Sequence, residues 1–197
     1  QALVIGGLTY YLTGSALLTS LALGLATLPY LGAPLAGVIA DRWDRRKLLA
    51  FSFAYRAAVA LGFTVVVILG LVETWHVFLF SLMMGLGVAV SGPAWSSLVP
   101  RVVPRENLVN AFAVASLGAS ATGLAVPVMA GLLVAFVGAG GALLFGATMW
   151  LVASAVVLTM RVERPARNDL HRRSAISDLA DGARYVLREP LVLSLIL

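Results

Sequence analysis

The sequence contains no cysteine and few charged residues: 12% of its 197 residues are charged, whereas 60% are hydrophobic. The absence of cysteine excludes a disulfide framework and a thiolate metal site. A soluble domain is typically about 25% charged and about 45–50% apolar, so this composition excludes an ordinary soluble domain. Long apolar runs without charge cross a bilayer as helices. The composition therefore predicts an all-α membrane protein.

The apolar runs predict five complete membrane spans and two partial ones. A span needs about 20 mostly apolar residues to cross about 30 Å of hydrocarbon. Runs of this length lie at about residues 16–40, 48–72, 75–99, 108–136 and 139–160. Residues 1–12 and 191–197 are also apolar but are too short to cross, which predicts a chain truncated at both ends. Residues 1–160 are thus expected to form a six-span bundle whose first span is incomplete.

Positive charge is confined to alternate connections between these spans. Thirteen of the fourteen basic residues lie within 42–47, 101–105 and 161–188, which follow the second, fourth and sixth spans. The positive-inside rule places such connections in the cytoplasm. We therefore expect a multi-pass protein of the plasma (inner) membrane with a cytoplasmic N-terminus. The high pI, about 10.2, then reflects membrane topology and not a nucleic-acid partner.

The polar stretch after the sixth span divides into two parts. Residues 161–173 are charged, contain a proline and are typical of an exposed linker. Residues 177–189 have an amphipathic helical pattern. This pattern is consistent with a surface helix at the membrane and equally with an ordinary helical connector. We expect residues 161–190 to form a cytoplasmic linker and residues 191–197 to begin a seventh span.

The connection after the second span carries the most specific motif. From Gly37 to Lys47 it reads GVIADRWDRRK. This segment resembles the signature loop of the major facilitator superfamily, G-x-x-x-D-[RK]-x-G-[RK]-[RK], at the same place in the order of spans. Asp44 replaces the glycine of that pattern, as in the drug and siderophore exporters of the transmembrane secretion effector type. The resemblance implies the N-terminal six-helix bundle of a 12-span major facilitator fold.

The same resemblance implies a gating role for this loop. In that reading an ionic latch breaks and reforms between inward-open and outward-open states. The implied gating residues are Gly37, Asp41, Arg42, Asp44, Arg45 and Arg46. Asp44 is also suited to cap the third span. The alternative is a cationic turn that only anchors topology beside anionic head groups.

The fifth predicted span contains a second, looser resemblance. Gly123, Pro127 and Gly131 fall near the glycine and proline positions of the antiporter motif of that superfamily. A small-residue helix interface with a proline bend fits these residues equally well. Proton-coupled antiport therefore stays open as an interpretation.

Arg56 is the one charged residue in the interior of a predicted span. Such a charge costs about 2.5–3.5 kcal/mol on insertion scales and marks a functional site by default. Two roles remain open, packing near the cytoplasmic gate and contact with an anionic substrate. Weaker candidates for substrate contact are His76, Tyr10, Tyr11 and Trp95. The pair Gly85 and Gly87 lacks the further features of a dinucleotide site.

The predicted function is secondary active transport. The resemblance implies export of small amphiphilic molecules, drug-like or siderophore-like, by alternating access. The implied partners are a small-molecule substrate, protons as a candidate coupling ion, and the lipid bilayer. No cofactor, metal or nucleic acid is expected. The alternative is a transporter-like domain of a membrane-embedded enzyme such as an acyltransferase fusion, but the spans contain no nucleophile with a base and no set of metal ligands.

Overall fold

The computed structural model describes residues 1–32 and 44–160. Within these ranges the regular structure is helical throughout, which confirms the all-α prediction. The helices are α1 (Ala2–Thr13), α2 (Ala16–Leu25), α3 (Arg45–Ile68), α4 (Thr74–Val102) and α5 (Leu108–Thr159), with 3-10 helices at Leu28–Gly32 and Arg105–Asn107. The predicted linker 161–190 and the segment 191–197 lie outside the described residues.

Three of the described helices, α3, α4 and α5, are long and apolar enough to cross a membrane, whereas α1 and α2 are shorter. Helix α5 has 52 residues, but its helical dihedral angles are interrupted at Gly138, where φ is 72° and ψ is 176°. Residues that carry a side chain rarely adopt this backbone conformation, so it requires glycine. The two segments, 108–137 and 139–159, agree with the predicted spans 108–136 and 139–160.

Short polar caps define the first helix boundaries. Helix α1 ends at Gly14, whose φ of 62° is left-handed and whose N–H donates to the carbonyl of Tyr10 at 2.8 Å. Glycine at this position is the usual end of a helix. The hydroxyl of Ser15 then accepts from the N–H of Leu18 and caps α2. These two caps separate the apolar runs 1–12 and 16–40.

The second predicted span, 16–40, is interrupted within the described residues. Its α-helix ends at Leu25 and a 3-10 helix follows from Leu28. Pro29 has no N–H to donate and disfavours helical dihedrals in the residue before it. The carbonyl of Gly24 accepts instead from the N–H of Thr27 at 2.9 Å. The remainder of this span, 33–43, lies outside the described residues.

Helices α3 and α4 and the second segment of α5 form the packed core. One buried cluster lies towards the start of α4 and includes Phe63 and Phe80, whose rings stack with centroids 4.3 Å apart. A second cluster joins the opposite ends of the same helices around Leu49, Leu98 and Val157. Residues 112–129 of the first α5 segment are exposed throughout. The core therefore leaves this segment with little packing among the described residues.

Candidate functional site

The intramembrane charge of Arg56 packs against an aromatic ring in the core. Its guanidinium carbon Cζ lies 3.4 Å from the ring centroid of Trp150 in the second α5 segment. A cation over an indole face is attracted by the ring quadrupole, and more strongly when both groups are desolvated. Within the described part of the chain, the Arg56 Nε is buried and has no hydrogen-bond partner. The aromatic contact is thus a principal stabilising interaction of this charge.

Trp150 joins three helices at one point. Its Nε1 donates to the side-chain oxygen Oε1 of Gln1 at 3.3 Å, and its ring lies 5.4 Å from the ring of Phe53 in α3. The start of α1, the middle of α3 and the second α5 segment therefore converge on the indole. Sequence reasoning missed Trp150, because 94 residues separate it from Arg56 and no local pattern connects the two.

Glycines on α4 make room for this arrangement. A Cβ built on Gly87 would lie 2.8 Å from Cδ of Arg56 and 3.3 Å from Cδ1 of Tyr55. Two residues earlier, a Cβ on Gly85 would overlap the backbone carbonyl of Ala26. Small residues allow such close approach where lipid provides no hydrophobic drive for helix association. The pair that does not fit a dinucleotide site thus serves helix packing.

An apolar cavity of about 350 Å³ lies beside Trp150. The cavity is lined by Gln1, Val4, Val126, Met129, Ala130, Leu133, Ala142, Phe145, Gly146, Met149, Trp150 and Ala153. The lining residues of α5 lie at similar sequence distances on either side of Gly138, so its two segments fold back on each other as a hairpin around the cavity. This size and lining match ligand pockets, which are mostly apolar with a few polar groups.

The antiporter-like residues lie on one arm of this hairpin. Pro127 is inside the helix and exposed, as is Gly123, whereas Gly131 is half-buried. Their neighbours Val126 and Ala130 line the cavity. The interruption of helical dihedral angles occurs at Gly138 and not at the proline. A coupling role for these residues stays a prediction.

The described end of the gating loop is tied to the core. The Asp44 carboxylate accepts from the backbone N–H of Arg46 at 3.1 Å and caps α3, as the sequence suggested. The Arg46 guanidinium donates to the carbonyl of Leu158 near the end of α5, where a cation also favours the helix dipole. Gly37, Asp41 and Arg42 lie outside the described residues, so the latch stays a prediction. Arg45 starts α3.

The weaker candidates lie away from the cavity. His76 completes the start of α4: its Nδ1 accepts from the N–H of Glu73 at 3.2 Å, and its ring stacks on Trp75. Tyr10, Tyr11 and Trp95 are exposed and do not line the cavity. Among residues 1–32 and 44–160, no three histidine, aspartate or glutamate side chains come together in a way that could hold a metal ion.

The family model described as transmembrane secretion effector matches residues 5–197. The chain belongs to this family. The macrolide efflux protein A of Streptococcus pyogenes is 33% identical over 99 residues, which cover 50% of this chain and 24% of that protein. The protein of the same name from Enterococcus faecalis is 33% identical over 98 residues, covering 49% and 30%. No solved structure matches the chain significantly.

A third relative of this transmembrane secretion effector chain aligns with nearly the whole length of the chain. The enterobactin exporter of Shigella dysenteriae is 26% identical over 189 residues, which cover 94% of this chain and 41% of the exporter. The chain thus spans less than half of each of these relatives. The family and the relatives are transporters of the major facilitator type, not enzymes, which favours a multi-pass transporter over the membrane-embedded enzyme alternative.

Proposed function

We propose that the protein containing this chain is a secondary transporter that exports small amphiphilic molecules by alternating access. The observation that carries the proposal is the apolar cavity beside Trp150, in a chain whose relatives are named as exporters of a macrolide and of enterobactin. A cavity of about 350 Å³ accommodates part of a drug-sized molecule. The cavity is the proposed substrate contact of this part of the transporter.

The hairpin of α5 supports the alternating-access part of the proposal. One wall of the cavity belongs to the second segment, which is packed into the core through Leu143 and Ala147. The other wall belongs to the first segment, whose residues 112–129 are exposed. Rocking of one helix bundle against another around a central site is the usual way such transporters change access. The exposed face of the first segment would pack against another bundle of the intact protein, which such rocking requires.

The proposed orientation places the start of α3 and the end of α5 at the cytoplasmic face of the plasma membrane. The positive-inside distribution of thirteen basic residues supports it. The contact of Arg46 with the Leu158 carbonyl then stabilises the cytoplasmic ends of two spans. We place the ionic latch at the same end, with Asp41 as its carboxylate and neighbouring arginines as its cations.

We further propose that transport is coupled to protons, and that the antiporter-like helix contributes its geometry to this coupling. In the described ranges the three carboxylates, Asp44, Glu73 and Glu106, lie at or beside helix ends. A carboxylate that carries a proton through the membrane would therefore come from a flanking part of the protein or from the loop. Pro127 and its flanking glycines would act on helix geometry and not on proton transfer.

The transport test uses inverted membrane vesicles that contain the intact protein with the sequence that flanks residues 1–197. In such vesicles export from the cell becomes uptake. We expect uptake of a macrolide or of enterobactin when a proton gradient is applied, and loss of uptake when a protonophore collapses it. Vesicles without the protein are the control. Absence of protein-dependent movement of both solutes, with and without the gradient, would contradict the proposal.

A separate test addresses the latch. Asp41→Asn removes the proposed carboxylate but keeps the shape of the side chain, so transport should fall at least about tenfold while membrane insertion stays normal. Asp169→Asn makes the same charge change in the predicted cytoplasmic linker and should transport like wild type. Unchanged transport by Asp41→Asn would show that the loop only anchors topology.

A further inference from the structure

The position of Arg56 has a consequence for the charge of the substrate, given the proposed transport function. Trp150 lines the cavity, whereas Arg56 does not, and its guanidinium lies 3.4 Å from the centroid of the indole. A cation therefore lies next to one lining residue of a mostly apolar cavity. A molecule that contacts the indole from within the cavity would lie about 7 Å from this charge, counting one contact distance of about 3.5 Å beyond the ring centroid.

Nothing in the described surroundings of the cavity offsets this positive charge. Arg56 has no ion pair with a described carboxylate: Asp44, Glu73 and Glu106 lie at or beside helix ends. One polar group at the indole is the neutral amide of Gln1. In an apolar interior the field of a charge is screened far less than in water. Among the described residues, Arg56 therefore makes the electrostatic potential positive on the side of the cavity formed by Trp150.

We propose that this cavity selects neutral or anionic aromatic amphiphiles and discriminates against cationic ones. The apolar lining and the indole favour a flat ring system, and the guanidinium behind the indole attracts a negative group and repels a positive one. With an effective dielectric constant of about 20, unit charges about 10 Å apart change a binding constant roughly tenfold. Anionic and cationic forms of one molecule should thus differ by at least about tenfold in affinity.

The test uses three probes with the same aromatic part: pyrenebutyrate, pyrenebutanol and pyrenebutyl-trimethylammonium. Binding is measured by equilibrium dialysis to the intact protein in phosphatidylcholine nanodiscs, without any gradient, and empty nanodiscs give the lipid background. Zwitterionic lipid removes surface-charge attraction of either ionic probe, and the empty nanodiscs correct for the different partitioning of each probe into the bilayer. We expect the anionic probe to bind about tenfold or more tightly than the cationic one, with the alcohol between them.

Two substitutions of Arg56 connect the selectivity to its charge. Arg56→Gln should reduce the difference between anionic and cationic probes to less than about threefold, whereas Arg56→Lys should keep most of it. Equal selectivity in wild type and in a folded Arg56→Gln variant would overturn the proposal. If Arg56→Gln does not fold, the wild-type protein still decides: equal or tighter binding of the cationic probe overturns the proposal.

A second pair of substitutions locates the binding site. Met129→Trp places a large ring in the cavity and should weaken binding of all three probes at least about fivefold. Val128→Trp adds a similar ring at a neighbouring residue that does not line the cavity, so binding should be unchanged. Equal binding by both variants would overturn the proposal, because the cavity would then be occupied by lipid or by a flanking part of the protein.

The binding test is independent of the transport test. Charge selectivity that depends on Arg56, in a protein that moves no solute, would contradict the proposed function and leave the assigned site standing. Transport that does not distinguish the anionic from the cationic probe, with no effect of Arg56→Gln, would leave the proposed function standing and overturn the charge selectivity.

Discussion

Replacement of Gly85 by alanine tests whether a backbone contact holds α4 against the end of α2. The added Cβ would lie 2.9 Å from the carbonyl carbon of Ala26 and 3.1 Å from its Cα, and would overlap the carbonyl oxygen. Backbone atoms cannot rotate away as a flexible side chain can, so one of the two segments must move. Overpacking of this kind costs about 1–3 kcal/mol in free energy of unfolding.

Gly62→Ala is the matched control for this prediction. Gly62 lies inside α3, is exposed, does not precede a proline, and would have no atom of the described residues within 4 Å of an added Cβ. Both substitutions gain a similar helix propensity, about 1 kcal/mol, because each replaces glycine within a helix. The difference between the two variants therefore isolates the contact with Ala26.

The measurement is thermal unfolding of the intact protein in detergent, followed by the loss of helical circular dichroism. For 150–250 residues, 1 kcal/mol corresponds to a shift of about 2–4 °C in Tm, and the shift is smaller in a longer protein. We expect Gly85→Ala to unfold below Gly62→Ala, by up to about 12 °C. Equal melting temperatures for the two variants would refute the close packing of α4 on Ala26.

Three further substitutions test other contacts, each by denaturation with SDS in mixed micelles. Gly138→Ala puts a residue with a Cβ into a backbone conformation with positive φ. It should lower the free energy of unfolding by about 1–3 kcal/mol more than Gly118→Ala, whose added Cβ meets no atom of the described residues. Equal losses would argue against the break in α5. Asp44→Ala removes the cap of α3 and should lower the free energy of unfolding by about 0.5–2 kcal/mol, whereas Asp44→Ser should retain most of this stability. An alanine variant as stable as wild type would contradict the cap. Ser154→Ala removes a buried 2.8 Å hydrogen bond to the Ala50 carbonyl and should cost about 0.6 kcal/mol; a neutral result would show that the bond is not formed.

Helix positions were largely predictable from the sequence, and the exceptions have local causes. Runs of apolar residues predicted α3, α4 and both segments of α5 within about four residues of their ends. The exact end of the helix at Leu25 in the second span was not predictable from hydropathy, because the hydropathy of 16–40 does not show how Pro29 interrupts helical hydrogen bonding. Asp44 was correctly assigned as a cap because a cap depends only on residues next to it in the chain.

The candidate site was predictable in part. Arg56 was identified as a candidate functional residue because a charged residue within an apolar span is recognisable in the sequence without knowledge of its orientation. Its partner Trp150 and the gap at Gly87 were not, since tryptophan and glycine are common in membrane helices and neither signals a contact with a distant residue. The cavity was equally hidden, because it depends on how the two segments of α5 fold back at Gly138.

The sequence by itself determined the number, order and helical nature of the segments in the described ranges. In a bilayer every backbone polar group must be satisfied within its own segment, so a long apolar run must be helical whatever its neighbours are. Tertiary structure decided which faces meet, because lipid is as apolar as the side chains and helix association depends on local fit at small residues such as Gly85 and Gly87. That fit places the cation of Arg56 against Trp150, which lines the cavity.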